Sequence, residues 1–299
     1  MIAVDWGTTS FRAYRLAPDG RVMARRSAAA GLRSCGAAFE QTLVGQLDGW
    51  DDPTIVLAGM IGSRSGWREV PYVRCPAGTD EIVAGMHEID DAAAFAGRRL
   101  FIAPGVAHVE PGRAPEVMRG EESQVVGLLD ETDLRHDEAV CLPGTHSKWV
   151  RIESGRIVSL RTAMTGELYA LLRHHSLLAS NMPSDADGSD DFPSFARGFD
   201  ASDAPGGLAH HLFGVRTLGL FGQLDGRLAP SYLSGLLIGH ELRGMVTQRL
   251  ATAHLIGSTS LTQRYARALR LLGVRSESHD EALSAAGLRR LALARQHPP

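Results

Sequence analysis

Ile2-Ala3-Val4-Asp5-Trp6-Gly7-Thr8-Thr9-Ser10-Phe11-Arg12-Ala13-Tyr14-Arg15-Leu16 is the stretch that decides how this chain is read. Ile2 to Val4 is a short run of buried-strand type, and Phe11 to Leu16 alternates as a second strand does. A glycine and three hydroxyl side chains join them. Asp19-Gly20 is a hairpin signal, so Arg21-Val22-Met23-Ala24 returns as a third strand. The same pattern recurs further on. Ala139-Val140-Cys141-Leu142 reads as a strand and Pro143-Gly144-Thr145-His146-Ser147-Lys148 as a turn. Trp149 to Ile152, the turn Ser154-Gly155 and Ile157 to Leu160 then form a hairpin. The duplication is one of architecture, without sequence identity.

Other elements fill in an α/β pattern. Thr54 to Ala58 and Leu100 to Ala103 read as buried strands, and a glycine-punctuated loop from Gly59 to Trp67 follows the first. Helical spacing covers Phe39 to Leu47 and Gly120 to Leu129. It also covers Glu167 to Leu178, with Leu168, Leu171, Leu172 and His175 inward, and Leu233 to Leu242. Leu255 to Ser260 is strand into turn. Ser260 and Gln263 suggest a capping box for a helix ending at Gly273, and a last helix is expected over His279 to Arg295. Two domains are expected, 1–136 and 137–299, with the break in the charged stretch Asp130 to Glu138. The last helix could pack back on the first domain. The acidic loop Asn181 to Asp191 carries Asp185, Asp187, Asp190 and Asp191, but its spacing does not match a calcium loop. It reads as a solvated surface loop.

The chain has 299 residues, 44% of them hydrophobic and 22% charged, as in an ordinary globular protein. Its net charge of -3 carries no nucleic-acid footprint. Cys35, Cys75 and Cys141 are too few and too scattered for a disulfide framework or a thiolate metal site. No apolar stretch reaches membrane-spanning length. The first residues lack the basic and apolar regions of a signal peptide, so cytoplasm is the expected location.

Chemistry concentrates in a few segments. Of the 31 lysine and arginine residues, Lys148 is the one lysine. Lysine brings a compact charge on a flexible stem where arginine brings a broad fork, and a cramped site beside a moving phosphoryl group can require the former. A lone lysine could also fall there by chance. In the first turn Gly7 lets backbone amides approach phosphate oxygens, and Thr8, Thr9 and Ser10 can donate to them. Asp5 at the strand end can hold Mg²⁺, usually through water, and Arg12 can reach the same side. The plainer reading is a hairpin turn with an incidental aspartate. Gly144, Thr145, His146, Ser147 and Lys148 supply a second such turn. Two turns from two similar domains, facing across a cleft, would clamp a nucleoside triphosphate from both sides. Neither a P-loop nor a dinucleotide glycine motif is present. Gly257-Ser258-Thr259-Ser260 either packs on adenosine or simply caps a helix. Glu121 and Glu122 open a helix, where the dipole favours carboxylates. One of them could accept a substrate hydroxyl proton, since phosphoryl transfer is mostly positioning and electrostatics. It should stay ionised.

Together these segments resemble the 2-dehydro-3-deoxygalactonokinase family, a branch of the actin/hexokinase-like phosphotransferases. The resemblance rests on Asp5 to Ser10 with Arg12-Ala13, Ala58 to Ser63 with Gly66-Trp67, and Pro71-Tyr72. It continues through Val117 to Gln124, Pro143 to Trp149, Met164 to Leu168, His175 to Leu177, Leu233 to Gly239, and Gly257 to Thr262 with Arg264-Tyr265. Ser123 and Ser147 depart from it, standing where Thr, and often Cys, is expected. It implies two similar actin-like (ribonuclease H-like) domains, with mixed sheets flanked by helices and an active-site cleft between them. It implies that ATP phosphorylates the 6-hydroxyl of 2-dehydro-3-deoxy-D-galactonate in galactonate catabolism. Asp5 would serve Mg²⁺, and Glu122 rather than Glu121 would be the base. Gly7 to Ser10 and Gly144 to Lys148 would contact phosphate, while Arg119, Ser63, the amides around Gly62 and Trp67 would meet the sugar acid. The partner is then a small 2-keto-3-deoxy acid, without nucleic acid or membrane, and a homodimer is compatible with the reading. The alternatives are a kinase of another sugar acid, such as the gluconate-derived epimer, and a non-metabolic actin-like nucleotide-binding protein.

Overall fold

The structure is a computed structural model and describes residues 1–134, 138–183, 191–246 and 249–296. Asp185, Asp187 and Asp190 of the acidic loop, and residues 135–137 of the expected domain break, lie outside the described residues. The chain divides into two compact units. One comprises residues 1–136, 150–160 and 280–299, and the other 137–149 and 161–279.

The first part of the chain contains strands β1 (Ile2–Trp6), β2 (Phe11–Leu16) and β3 (Val22–Ala28), then helices α1 (Leu32–Cys35) and α2 (Phe39–Gln46). Next come β4 (Thr54–Ala58), β5 (Val73–Arg74), α3 (Thr79–Ala84), β6 (His87–Glu88), β7 (Arg99–Ile102), β8 (Val106–His108), β9 (Glu116–Met118) and α4 (Glu121–Glu131). One sheet has the order β3-β2-β1-β4-β7-β6, and a small one β5-β8-β9. The β1–β2 and β2–β3 pairs are antiparallel, whereas β1–β4 and β4–β7 are parallel. Trp6, Phe11, Leu43, Ile55, Leu57 and Leu100 are fully buried in the core on one face.

The remainder contains β10 (Glu138–Leu142), β11 (Ser147–Glu153), β12 (Arg156–Ala163), α5 (Thr165–His175), α6 (Phe192–Ala201), α7 (Gly207–Leu220) and α8 (Ala229–Met245). It ends with β13 (Thr252–Ile256), α9 (Thr259–Leu271), β14 (Arg275–His279) and α10 (Leu283–Gln296). Its sheet has the order β12-β11-β10-β13-β14. That repeats β3-β2-β1-β4-β7, with a meander first and parallel neighbours after it. The fold is mixed α/β, as the alternation in the two repeats implies.

Several local expectations are corrected. In α5 Leu171 is exposed, as is His175, and the inward residues are Leu168, Tyr169 and Leu172. Helices α6 and α7 were not expected from the sequence; Asp191 caps α6 by accepting the Ser194 amide at 2.8 Å, Pro193 stands in its first turn, and Phe195 and Phe199 form its buried face. Helix α9 starts at Thr259, because β13 ends at Ile256 and the chain turns at Gly257. Ser260 therefore lies inside the helix and forms no capping box. Residues 275–279 pair with β13 as an edge strand, so the last helix begins at Leu283 rather than His279. This helix packs on α4, α3 and β1. It approaches α4 so closely that a Cβ on Gly287 would lie 1.8 Å from the Ser123 carbonyl oxygen.

Candidate active site

The first glycine turn is held as a rigid loop. The Gly7 amide donates to the Ser10 carbonyl at 2.9 Å, and the Leu32 and Arg33 amides donate to the Gly7 and Thr8 carbonyls at 3.1 Å. Thr8 and Thr9 remain exposed above this strap. Asp5 emerges from the end of β1 with a side chain 23% exposed, and Arg12 Nη1 donates to its Oδ2 at 3.3 Å. Arg12 also reaches Glu281 at 3.3 Å. Burial pushes the Asp5 carboxyl up, and Arg12 pulls it back only in part. The Oδ1 side is kept open by two glycines. A Cβ on Gly59 would stand 3.3 Å from that oxygen, and one on Gly120 3.8 Å from it. Both glycines have positive φ, 97° and 112°, which favours glycine over any side chain there.

Gly120 leads into α4, and Glu122 follows on its first turn. Glu122 is fully buried. Its Oε2 accepts the Gly120 amide at 2.7 Å, while its Oε1 has no hydrogen-bond partner. Burial, and secondly the neighbouring Glu121, push this carboxyl up to about 8. The expectation that Glu122 stays ionised is therefore corrected. The helix amides and Arg119 favour the anion, but loss of water outweighs them. Glu121 turns the other way, accepting the Arg119 amide at 3.0 Å.

Arg119 stacks over Tyr72, 4.2 Å from the ring centroid, and its Nη2 donates to the Val70 carbonyl at 2.7 Å. Its Nε and Nη1 are buried without partners, as is Ser63 Oγ. Gly62 lies against this guanidinium, since a Cβ there would be 2.9 Å from Nη1. Gly62, Ser63, Arg119 and Glu122 thus gather around Gly59, Gly120 and Asp5. Trp67 instead packs against the apolar core. Tyr72 was missed as a site residue, although it lies within a motif carrying the family resemblance.

In the second unit the Gly144 turn joins β10 to β11. Thr145 and His146 are exposed. The Thr145 carbonyl accepts the Glu167 amide at 2.9 Å, and His146 Nε2 lies 2.5 Å from Glu167 Oε2, which ties the turn to the start of α5. Lys148 is 7% exposed and donates to Thr162 Oγ1 at 3.2 Å. Ser147 differs from expectation. Its hydroxyl is fully buried and lies 2.8 Å from Tyr265 OH, so it is engaged inside the unit and not presented at the surface of the turn. It belongs to a network centred on buried Glu241, which accepts from Trp149 Nε1 at 2.8 Å, Tyr265 OH at 2.7 Å and Thr165 Oγ1.

Beside the Gly144 turn is an open pocket lined by Gly144, Thr165, Gly166, Tyr169, Ser234, Leu237, Ile238, Leu261, Arg264 and Tyr265. Aliphatic and aromatic walls with a few polar groups suit a flat heterocycle. Gly257 stands at the back of the turn, where a Cβ would be 3.4 Å from the Pro143 carbonyl oxygen. Ser258 is exposed in the N-cap position of α9. Leu237, Ile238, Leu261 and Arg264 were not marked from sequence as site residues, although two of the resembling motifs run through them.

The repeated meander-and-parallel sheet defines the actin-like class of fold. Two solved structures share it at low identity. One is the activator of 2-hydroxyisocaproyl-CoA dehydratase from Clostridium difficile, 11% identical over 99% of this chain and 96% of that one, with TM-score 0.52. The other is component A of (R)-2-hydroxyglutaryl-CoA dehydratase from Acidaminococcus fermentans, 12% identical over 98% of each chain, also at 0.52. The particular family is specific: residues 5–291 match the 2-keto-3-deoxy-galactonokinase family, and the chain belongs to it. The 2-dehydro-3-deoxygalactonokinase of Escherichia coli is 34% identical over 98% of this chain and 97% of its own. A provisionally named relative from Rhizobium meliloti is 37% identical over 95% of this chain and 94% of its own. A crystal structure from Sinorhizobium meliloti, also provisionally named for this activity, superposes with TM-score 0.83 at 32% identity, covering 100% of this chain and 99% of that one. No helix among the described residues is long and apolar enough to cross a membrane.

Proposed function

We propose that this chain is an ATP-dependent kinase that phosphorylates the 6-hydroxyl of 2-dehydro-3-deoxy-D-galactonate, in galactonate catabolism. One observation carries the reading beyond family membership. Arg119 Nε and Nη1, Ser63 Oγ and Glu122 Oε1 are all buried without partners, with Gly62, next to Ser63, against the Arg119 guanidinium and Arg119 near enough to act on the Glu122 charge. Unsatisfied buried polar atoms are costly, and this set offers donors for a carboxylate and keto group together with an acceptor for a hydroxyl.

Arg119, backed by Tyr72 and anchored on Val70, holds the acid end, with Ser63 and the Gly62 amide beside it. Glu122 orients the 6-hydroxyl. The C6 oxygen forms a bond to the γ-phosphorus as the bond to the β–γ bridging oxygen breaks. The hydroxyl proton passes to Glu122, and ADP leaves. A carboxylate whose affinity for a proton is raised by burial is a better acceptor once ionised. The Gly7–Ser10 turn offers amides and hydroxyls to phosphate, and so does the Gly144–Lys148 turn apart from buried Ser147. The Tyr169, Leu237 and Leu261 pocket takes the base. The open side of Asp5 fits a divalent cation, and Asp5 would hold Mg²⁺, which supplies charge neutralisation to the phosphates.

A coupled ADP-release assay with a panel of aldonates and 2-keto-3-deoxy acids tests this. Turnover with the galactonate-derived acid, well above that with its gluconate epimer, is the expected result. Equal rates across the panel, or hydrolysis independent of any acceptor, would overturn it. Arg119→Lys keeps the charge but loses the fork, and should raise KM for the keto acid while leaving KM for ATP unchanged.

A further inference from the structure

His254 on β13, with Glu277 and His279 on β14, brings three ligand atoms within 4.8 Å of one another. The two strands pair in parallel, with His254 opposite Glu277 and Ile256 opposite His279. Side chains alternate along a strand, so all three stand on one face of the sheet. His254 Nδ1 is 3.1 Å from His279 Nε2 and 3.8 Å from Glu277 Oε2. A tetrahedral ion with nitrogen and oxygen bonds of about 2.0–2.1 Å sets its ligands roughly 3.3 Å apart. The two separations bracket that value.

The second ring nitrogen of His254 adds an independent observation. The side chain is 2% exposed, and its Nε2 makes no hydrogen bond. That nitrogen faces Glu138 Oε2 at 3.6 Å. A metal-bound histidine commonly presents its other N–H to a carboxylate in this way. A proton shared between the two imidazoles would explain the 3.1 Å separation. It would not explain a carboxylate converging from each side of His254.

We propose that His254, His279 and Glu277 bind one divalent transition-metal ion of the zinc class. Glu138 orients His254 from behind, and water completes the shell. Two imidazoles select against Mg²⁺ and Ca²⁺, which prefer oxygen donors. Glu277 is 64% exposed, so the ion reaches the site directly from solvent. The ion staples edge strand β14 to β13, whose next turn holds Gly257. The role is structural and separate from phosphoryl transfer.

The test uses the untagged full chain, stripped with a chelator and titrated with Zn²⁺ against a chromophoric competitor. One ion per chain is expected, with a melting temperature raised by Zn²⁺ and not by Mg²⁺. Glu138→Gln should weaken binding about 10–100-fold. His279→Gln and the exposed-site variant Glu277→Gln should each lose tight binding and the zinc-dependent shift, while melting like the metal-free wild type. Absence of binding by the wild type overturns the proposal. So does binding undiminished in both variants. So does loss on His240→Gln alone, which would assign the ion to the His211–His240 pair, whose nitrogens lie 2.9 Å apart.

Discussion

Glu122 Oε2 takes the Gly120 amide at 2.7 Å, while Oε1 of the same carboxylate is buried with nothing to accept from. One oxygen fixes the side chain, and in the proposed reaction the other takes the substrate's proton. Glu122→Gln keeps the shape and removes the basicity. Turnover should fall by roughly 10²–10⁴-fold, the range for lost acid–base catalysis, with the nucleotide dissociation constant nearly unchanged. Steady-state kinetics beside calorimetric nucleotide binding measures both. Wild-type turnover would remove Glu122 from the mechanism.

The same carboxyl makes stability depend on pH. Its folded-state value near 8 lies above the ordinary 4.5. Between those values the folded chain holds a proton that the unfolded chain releases, so stability falls as pH rises through the window. Glutamine carries no titrating group. Relative to wild type, Glu122→Gln should therefore gain stability steadily from about pH 4.5 to pH 8 and no further above it, by a few kcal/mol in all. Urea melts of both proteins at several pH values check the slope. A constant difference across the window would contradict it.

Lys148 occupies a confined position, with Nζ on Thr162 Oγ1 at 3.2 Å and 7% exposure. An arginine fork is wider than an ammonium and cannot take one hydroxyl in the same space. Lys148→Arg should lower kcat/KM for ATP by about tenfold or more despite retained charge. Overpacking should cost about 1–3 kcal/mol of stability. Kinetics and thermal melts like the wild type would mean that the lone lysine stands there by chance.

Much of this architecture could be read from residue order, because alternation and hairpin turns are local signals. Ile2 to Ala28 and Ala139 to Leu160 carry both, and the two glycine turns fall between strands in each repeat. Helix α7 was not legible, since glycines and histidines blur its apolar period, whereas α6 did carry a signal that was missed, Asp191 and Pro193 at its start with Phe195 and Phe199 four apart. β14 is an edge strand of Arg-Ser-Glu-Ser-His, too polar to show a buried face. The site was legible in its residue types and less so in its environments. Ser147 looked like a phosphate contact, yet it is claimed by Tyr265, 118 residues away, and by the Glu241 network. The raised affinity of Glu122 for its proton depends on water excluded by the packing of distant elements, and short-range sequence patterns do not encode that. Tyr72 and Arg119 stack although 47 positions separate them in the chain.

Gly287 sets how closely α10 approaches the helix that carries Glu122. A Cβ there would meet the Ser123 carbonyl oxygen at 1.8 Å and the Gly127 amide nitrogen at 2.9 Å, both backbone atoms that cannot swing aside. Gly287→Ala must therefore push α10 off α4, beside the residue that follows Glu122. A stability loss of at least about 1–3 kcal/mol is expected, together with a fall in kcat larger than any change in KM for ATP. Gly244, on α8, has open space where a Cβ would go. Gly244→Ala, in the last turn of α8, should instead leave stability the same or raise it by about a few tenths of a kcal/mol through helix propensity, with kinetics unchanged. Denaturant melts and steady-state assays on the pair separate a steric effect at the α4–α10 contact from a general response to alanine. Equal behaviour of the two variants would show that the close approach does not position Glu122.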